Sequence, residues 1–369
     1  MMLYKLLSRT DRGRFEPAVI SLSDRGTLGE RIEELGIPVI DIGIKHSRPT
    51  LTGILRLITI ARKLKPNIIQ GWMYHGNLAA QVANFFMPGK APVLWNIRQS
   101  LYSLSYEKTA TAAVIKLGSY LSRFPAYIIY NSKTGAAQHE AIGYRAGARV
   151  FIPNGFDTDR FVPFDEAKIS VRGEMGITKD AFLIGLICRY HPMKDHINFL
   201  KAASLLLSKH SNVHFILAGD QVDESNSELR KEIHDLQLSN YVHLLGERSD
   251  IPRLTASLDI AAISSYAEGF PNAIGEAMSC AVPCVVTNVG DSPSIVADTG
   301  RVVPPHDSQA LADAWSELIS INAVQRRELG LRARQRICDN FSLDAVARQY
   351  EALYEKIVAK RGSTAACAA

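Results

Sequence analysis

Short apolar runs alternate with longer amphipathic stretches along the whole chain, the rhythm of strand–helix units feeding a parallel sheet. In the first half the runs predict strands at 18–22, 39–44, 68–72, 93–97, 127–130 and 150–152. Residues 53–64 and 133–142 have helical spacing between them. The pattern restarts in the second half, with strands expected at 183–187, 214–218, 242–245, 259–264, 284–287 and 301–303. An α/β protein of two successive domains follows, divided at Pro153-Asn154-Gly155. There proline fixes φ and glycine permits φ > 0, which suits a crossing between domains. We place a first domain at 1–153 and a second at 154–342, entered through a linker at 157–179. A last helix is expected at 343–360, and a small-residue tail at 361–369 should be disordered.

Composition narrows the class. The chain has 369 residues, 47% hydrophobic and 21% charged, which suits two globular domains. No apolar run reaches the roughly 20 residues that span a bilayer, and the N-terminus does not read as a signal peptide. The expectation is a cytoplasmic protein, peripheral at the inner face of a membrane if it meets one. The five cysteines have no metal-ligand spacing and are read as buried or free thiols. The net charge of +5 conceals an asymmetry: residues 1–153 carry 20 Lys/Arg against 9 Asp/Glu, and residues 154–369 carry 22 against 28. A basic first half predicts an anionic partner there, a phosphate-bearing lipid or an anionic leaflet. No nucleic-acid motif accompanies the charge. The basic amphipathic segments 53–65 and 108–124 are candidate membrane-facing helices, and both also fit crossover helices with a solvated basic face.

The most informative segment is Glu268-Gly269-Phe270-Pro271-Asn272-Ala273-Ile274-Gly275-Glu276. It joins an apolar strand to a helix through a tight turn, the arrangement that presents backbone N–H groups to phosphate-sized ligands. Glu268 falls on the loop and Glu276 near the helix start. Carboxylates accept hydrogen bonds from vicinal hydroxyls, so the pair suits a sugar. Arg189 and Lys194 lie in Cys188-Arg189-Tyr190-His191-Pro192-Met193-Lys194 after another strand. Two fixed cations there can neutralise a diphosphate as negative charge develops on it.

The Glu268–Glu276 segment resembles the Glu-(seven residues)-Glu signature of the retaining family-4 glycosyltransferases of the GT-B fold. The resemblance extends through Ala277 to Gly290, Arg189 with Lys194, the Leu245-Gly246-Glu247-Arg248 turn and Ile152-Pro153-Asn154-Gly155. It implies two Rossmann-like domains facing a central cleft, with the C-terminal helix crossing back to the first. It also implies that Arg189 and Lys194 clamp the donor diphosphate, that Glu276 holds the ribose and that Glu268 positions the transferred hexose. Gly269, Phe270, Pro271, Asn272 and Ala273 would cradle hexose and phosphate through their N–H groups. Arg248 would border the base, by stacking or as a solvent-facing side chain. In the first half, His75 and Arg98 follow strands and are candidate contacts for acceptor or sugar, while Ser132 is explained as a helix N-cap.

No acidic pair ends a strand and no His/Asp/Glu cluster has metal spacing, so the expectation is catalysis without a metal or other cofactor. The implied co-substrate is a nucleotide-diphosphate sugar, and the implied acceptor a glycan or lipid-linked glycan of the cell envelope. The sequence departs from the family at its start. Residues 1–8 read as a first helix already under way, so the first strand and its Gly-rich loop are expected to be absent, leaving two strand edges unpaired. A sugar-nucleotide epimerase on the same fold, or a truncated relic that binds nucleotide or lipid without turnover, fits the same residues.

Overall fold

The computed structural model describes residues 2–44, 50–104 and 107–366. The chain forms two compact units, Met1–Gly155 with Leu343–Ala369, and Phe156–Ser342.

The first unit runs α1 (Met2–Leu7), β1 (Val19–Ser21), α2 (Gly26–Glu33), β2 (Val39–Asp41), α3 (Leu51–Leu64) and β3 (Ile69–Trp72). It continues with α4 (Met73–Phe85), β4 (Val93–Ile97), α5 (Thr109–Leu121), β5 (Tyr127–Tyr130), α6 (Lys133–Ala141) and β6 (Arg149–Phe151). All described strand pairs are parallel, in a two-stranded sheet β1-β2 and a four-stranded sheet β3-β4-β5-β6. The two sheets are not paired with each other among the described residues.

Alternation along β4 and β5 sends side chains to two cores. Trp95, Ile97, Ile128 and Tyr130 face one core, while Leu94 and Ile129 face another. The second core is completed by a helix from the far end of the sequence. The apolar stripe Val346, Tyr350, Leu353 and Ile357 has helical spacing and packs there with Leu6 and Ile152.

The second unit contains α7 (Asp165–Glu174), β7 (Phe182–Ile187), α8 (His196–Leu207), β8 (Val213–Ala218), α9 (Ser227–Asp235), β9 (Val242–Leu244) and α10 (Ile251–Ala256). It continues with β10 (Ile260–Ile263), α11 (Asn272–Ser279), β11 (Cys284–Thr287), α12 (Ser292–Val296), β12 (Gly300–Val303), α13 (Ser308–Ser320) and α14 (Ala323–Phe341). The last helix, α15 (Leu343–Ala366), is the one that belongs to the first unit. The six parallel strands of the second unit have the order β12-β11-β10-β7-β8-β9. This is the doubly wound order: β7 starts the sheet and the direction of winding reverses between β7 and β10. Ile184 and Leu186 enter one core with Phe199, Phe215 and Trp315, whereas Leu183, Ile216 and Ile263 enter the core on the other face. Strands buried on both faces explain the near-continuous apolar runs of the sequence.

Two expectations change. Within the expected linker, residues 165–174 are helix α7, because Ala167 and Val171, one turn apart, are fully buried against the sheet. The expected disordered tail is helical as far as Ala366, and Arg361 Nη2 donates to the Gly89 carbonyl at 2.7 Å; residues 367–369 lie outside the described residues. No described helix is long and apolar enough to cross a membrane.

Candidate active site

In open α/β sheets the ligand crevice lies beyond the strand C-termini where the winding reverses. In the second unit that point is between β7 and β10, and the loops leaving these two strands carry Arg189 with Lys194 and Glu268. The loop after β7 folds as a 3-10 turn, Pro192–Lys194, entered through His191, whose ring accepts from the Met193 N–H at 3.2 Å. Asp195 follows in the left-handed region and caps α8 by accepting from Asn198 N–H. This turn is tied to the end of β10: Ser264 Oγ donates to the Lys194 carbonyl at 2.8 Å, and Tyr266 N–H to the Met193 carbonyl at 3.0 Å.

The two loops meet in one ion pair. Lys194 Nζ lies 2.5 Å from Glu268 Oε1, and Ser265 Oγ donates to the same oxygen at 2.7 Å. The Glu268 side chain is 11% exposed, so its charge is held in a partly desolvated place. Arg189 is exposed and makes no hydrogen bond or ion pair with another described residue. The neighbouring histidines are held neutral mainly by burial, with the two cations adding to it. Burial, then Arg189 and Lys194, lower the pKa of His191; burial, then Lys194, brings His196 down to about 4. Cys188 beside them is pushed up to about 12 by burial and stays a thiol.

Gly269, Phe270 and Pro271 lead from Glu268 into α11, whose first turn contains Asn272 and Ala273 and has no side-chain cap. This turn is at the positive end of the helix dipole, where an anion is favoured. Glu276, half-buried one turn into α11, lines a small cleft with Ile187, Thr255 and Ile274. Three packing details hold the loop. Phe270 stacks on Phe156 with centroids 6.1 Å apart, and Phe156 in turn occupies the space that a Cβ at Gly275 would need. Gly290, at φ +57°, passes so close that a Cβ would lie 2.4 Å from the Glu268 carbonyl oxygen and 2.7 Å from that of Gly269. Asp291 N–H then donates to the Gly269 carbonyl at 2.8 Å.

Sequence reasoning missed Ser265, which orients Glu268, and the contact role of Gly290. The Ser264-Ser265 pair at the end of an apolar strand was the visible signal for the first.

Arg248 is committed to carboxylates. Its Nε and Nη2 donate to Asp250 at 2.8 and 2.9 Å and its Nη1 to Glu174 at 2.7 Å, with Arg253 bridging the same two acids. These bonds hold the carboxyls of Glu174 and Asp250 below their ordinary range. The Arg248 guanidinium is thus paired with two carboxylates.

In the first unit, β3 passes into α4 without a loop. Met73 takes φ +60°, and a Cβ at Gly71 would lie 2.5 Å from Asn77 Cα. Asn77 Oδ1 accepts from the Asn96 N–H at 3.1 Å, pinning this corner to β4. His75 sits in the first turn of α4, not at a strand tip; it is exposed and has no hydrogen bond with a described residue. Ser132 caps α6 by accepting from Gly135 N–H at 3.0 Å.

Arg98, a candidate contact for acceptor or sugar, is engaged by the protein's own acceptors. It donates to Asn154 Oδ1, the Pro153 carbonyl, Asn96 Oδ1 and Tyr350 Oη, joining β4, the end of the first stretch and α15. Its pattern of five donors suits four neutral acceptors that lysine would not reach together. Arg98→Ala is expected to lower the stability of the chain by about 2–4 kcal/mol, since several buried acceptors lose a charged donor. Denaturant unfolding with donor titration checks this; undiminished stability with lost substrate binding would return Arg98 to the substrate.

Comparison with known proteins fits this geometry. The family model described as Glycosyltransferase Family 4 matches residues 1–160, and that described as Glycosyl transferases group 1 matches residues 181–320. The chain belongs to the family-4 glycosyltransferases. Among curated relatives, the UDP-Gal:alpha-D-GlcNAc-diphosphoundecaprenol alpha-1,3-galactosyltransferase of Escherichia coli is 30% identical over 39% of this chain and 38% of its own length. The lipopolysaccharide core biosynthesis mannosyltransferase LpsB of Rhizobium meliloti is 26% identical over 58% of this chain and 64% of its own. The N-acetyl-alpha-D-glucosaminyl L-malate synthase of Bacillus anthracis is 25% identical over 54% and 52%. The chain thus spans about half the length of the curated relatives it matches.

Among solved structures, Anabaena HepE in complex with UDP superposes with a TM-score of 0.81 at 23% identity, over 96% of this chain and 95% of that one. A glycosyltransferase of Rickettsia africae superposes with a TM-score of 0.78 at 20% identity, over 97% and 94%. The parallel α/β fold described above is that of the GT-B glycosyltransferases.

Proposed function

We propose that the chain transfers a hexose-type sugar from a nucleotide-diphosphate sugar to a glycan or lipid-linked acceptor of the cell envelope, with retention at the anomeric carbon. The observation that carries this reading is the Lys194–Glu268–Ser265 contact at the winding reversal of the second unit, beside the exposed Arg189 and the uncapped start of α11. Support also comes from HepE, whose structures hold UDP and UDP-glucose, and from relatives named for envelope glycan transfer.

In this reading Arg189 and Lys194 neutralise the diphosphate as the bond between the anomeric carbon and its phosphate oxygen breaks. Glu268, fixed by Ser265, accepts hydrogen bonds from the hexose hydroxyls. Glu276 takes the ribose hydroxyls, and the N–H groups of residues 269–273 hold phosphate and sugar. Arg248, paired with its carboxylates, borders the base. The acceptor oxygen bonds to the anomeric carbon on the face the leaving group departs, and its proton passes to the departing phosphate, so no protein base is required. His75 is the first unit's candidate for an acceptor contact. The two cations supply the charge a metal would, so activity should persist in chelator.

The test is calorimetric titration with a panel of nucleotide-diphosphate sugars, beside the Glu276→Ala variant. One donor should bind, and the variant should bind it about 10²-fold more weakly, the effect of losing hydrogen bonds to a charged acceptor. A folded protein that binds no donor, or a variant with unchanged affinity, overturns the assignment.

A further inference from the structure

The first unit carries a surface that donor chemistry does not use. Helices α3, α4 and α5 each end at the same edge of their sheet, where the chain turns into β3, β4 and β5. Large apolar side chains stand exposed at all three ends: Leu64, Phe85, Phe86, Tyr120 and Phe124, with Tyr120 69% and Phe86 55% accessible. They form one patch. The Phe85 and Phe124 rings meet edge to face with centroids 5.2 Å apart, and Arg62 Nε and Nη2 donate to the Phe86 carbonyl at 2.9 and 2.7 Å. Apolar tips clustered in this way on a monomer mark an interaction surface.

The charge around the patch is of one sign. Arg62, Lys63, Lys65, Lys90, Lys116 and Arg123 are exposed at or beside these helix ends. Across residues 42–139 the chain has 12 Lys/Arg and a single acid, Glu107. An ordinary soluble surface mixes both signs. Beside the patch a groove of about 520 Å³ is lined by Arg62, Lys65, Met87 and Arg361, adding cations over an apolar floor.

We propose that this edge of the first unit docks on an anionic bilayer, with Phe85, Phe86, Tyr120 and Phe124 in the acyl boundary and the surrounding Lys and Arg among the headgroups. Aromatic tips ringed by cations match the layered chemistry of that interface, apolar below and negative above. A second copy of the chain is a poor occupant, because a two-fold contact would bring the same cations face to face. The surface is at the other end of α4 from His75: ten residues of helix place the two about 15 Å apart along the axis. Docking therefore leaves the His75 end of the unit exposed to its acceptor.

The full chain is tested by co-sedimentation with phosphatidylglycerol–phosphatidylcholine vesicles and with phosphatidylcholine vesicles. Binding is expected only with the anionic lipid and should weaken as salt rises. The Phe86→Ser/Phe124→Ser double variant should lose about tenfold or more in vesicle affinity. Changing Lys63, Lys65 and Lys90 to Gln should cost about fivefold for each cation removed. These side chains are exposed, so both variants should keep the wild-type Tm and donor affinity, which separates this surface from the transfer reading. Absence of binding to anionic vesicles, equal binding to neutral ones, or binding that survives the phenylalanine changes overturns the proposal. Self-association in sedimentation velocity that the same phenylalanine changes abolish, without vesicle binding, overturns it in favour of a second copy.

Discussion

Lys194→Ala is expected to lower turnover about 10²–10³-fold while leaving the fold intact, the cost of removing one preorganised charge from a developing anion. Lys194 is held on both sides: its carbonyl accepts from Ser264, and its ammonium rests on Glu268 at 2.5 Å. It is therefore aimed before substrate arrives and needs little reorganisation. Its loss also strips a cation from a carboxylate that is 11% exposed, so Glu268 would face the donor phosphates as an uncompensated like charge. Two effects are thus coupled, and a cycle separates them. Glu268→Gln should itself reduce turnover by weakening its hold on the hexose hydroxyls. Adding it to Lys194→Ala should cost less than the sum, since the repulsion disappears. Steady-state kinetics of the four proteins with the donor identified by titration provides the measurement. Turnover by Lys194→Ala within threefold of wild type would remove Lys194 from the chemistry.

Gly290→Ala should damage stability and site together, by about 3–5 kcal/mol. Two costs add. At φ +57° a side chain is strained, worth roughly 1–3 kcal/mol. The new Cβ would also stand 2.4 Å from the Glu268 carbonyl, a backbone atom that moves only if the whole loop moves. Displacing that loop breaks the Asp291–Gly269 hydrogen bond and shifts Glu268 off Lys194 and Ser265. For a unit of this size the loss corresponds to a fall in Tm of roughly 10 °C. Donor affinity should fall with it, in contrast to Lys194→Ala, which leaves Tm near its original value. A calorimetric scan of both variants distinguishes a damaged scaffold from a missing charge, and an unchanged Tm in Gly290→Ala would refute the close approach.

The strands were legible because a parallel sheet buried on both faces must be written as short apolar runs. The runs at 93–97, 127–130 and 284–287 coincide with β4, β5 and β11 to the residue. The Glu268–Glu276 spacing was legible for a related reason: a strand, a tight turn and a helix are local structure, and local structure fixes which residues sit on the loop. The internal partners of Arg98 and Arg248 were not legible, although each follows a strand as a ligand contact would. Their partners, Tyr350 for one and Glu174 for the other, lie 252 and 74 positions away, and no spacing rule reaches them. The close approach of Gly290 to the Glu268 and Gly269 carbonyls was opaque on the same ground.

By itself the sequence determined the elements, the two-fold repetition of the α/β plan and the spacing of the two carboxylates around the Gly269-Phe270-Pro271-Asn272 turn, all properties of neighbouring residues and their periodicity. Only the tertiary structure decided which cations remain open to a ligand and which are spent on the protein's own acceptors. It also decided that three separate helix ends build one basic, aromatic surface. Those outcomes depend on distances between segments far apart in the chain, which packing sets and periodicity does not encode.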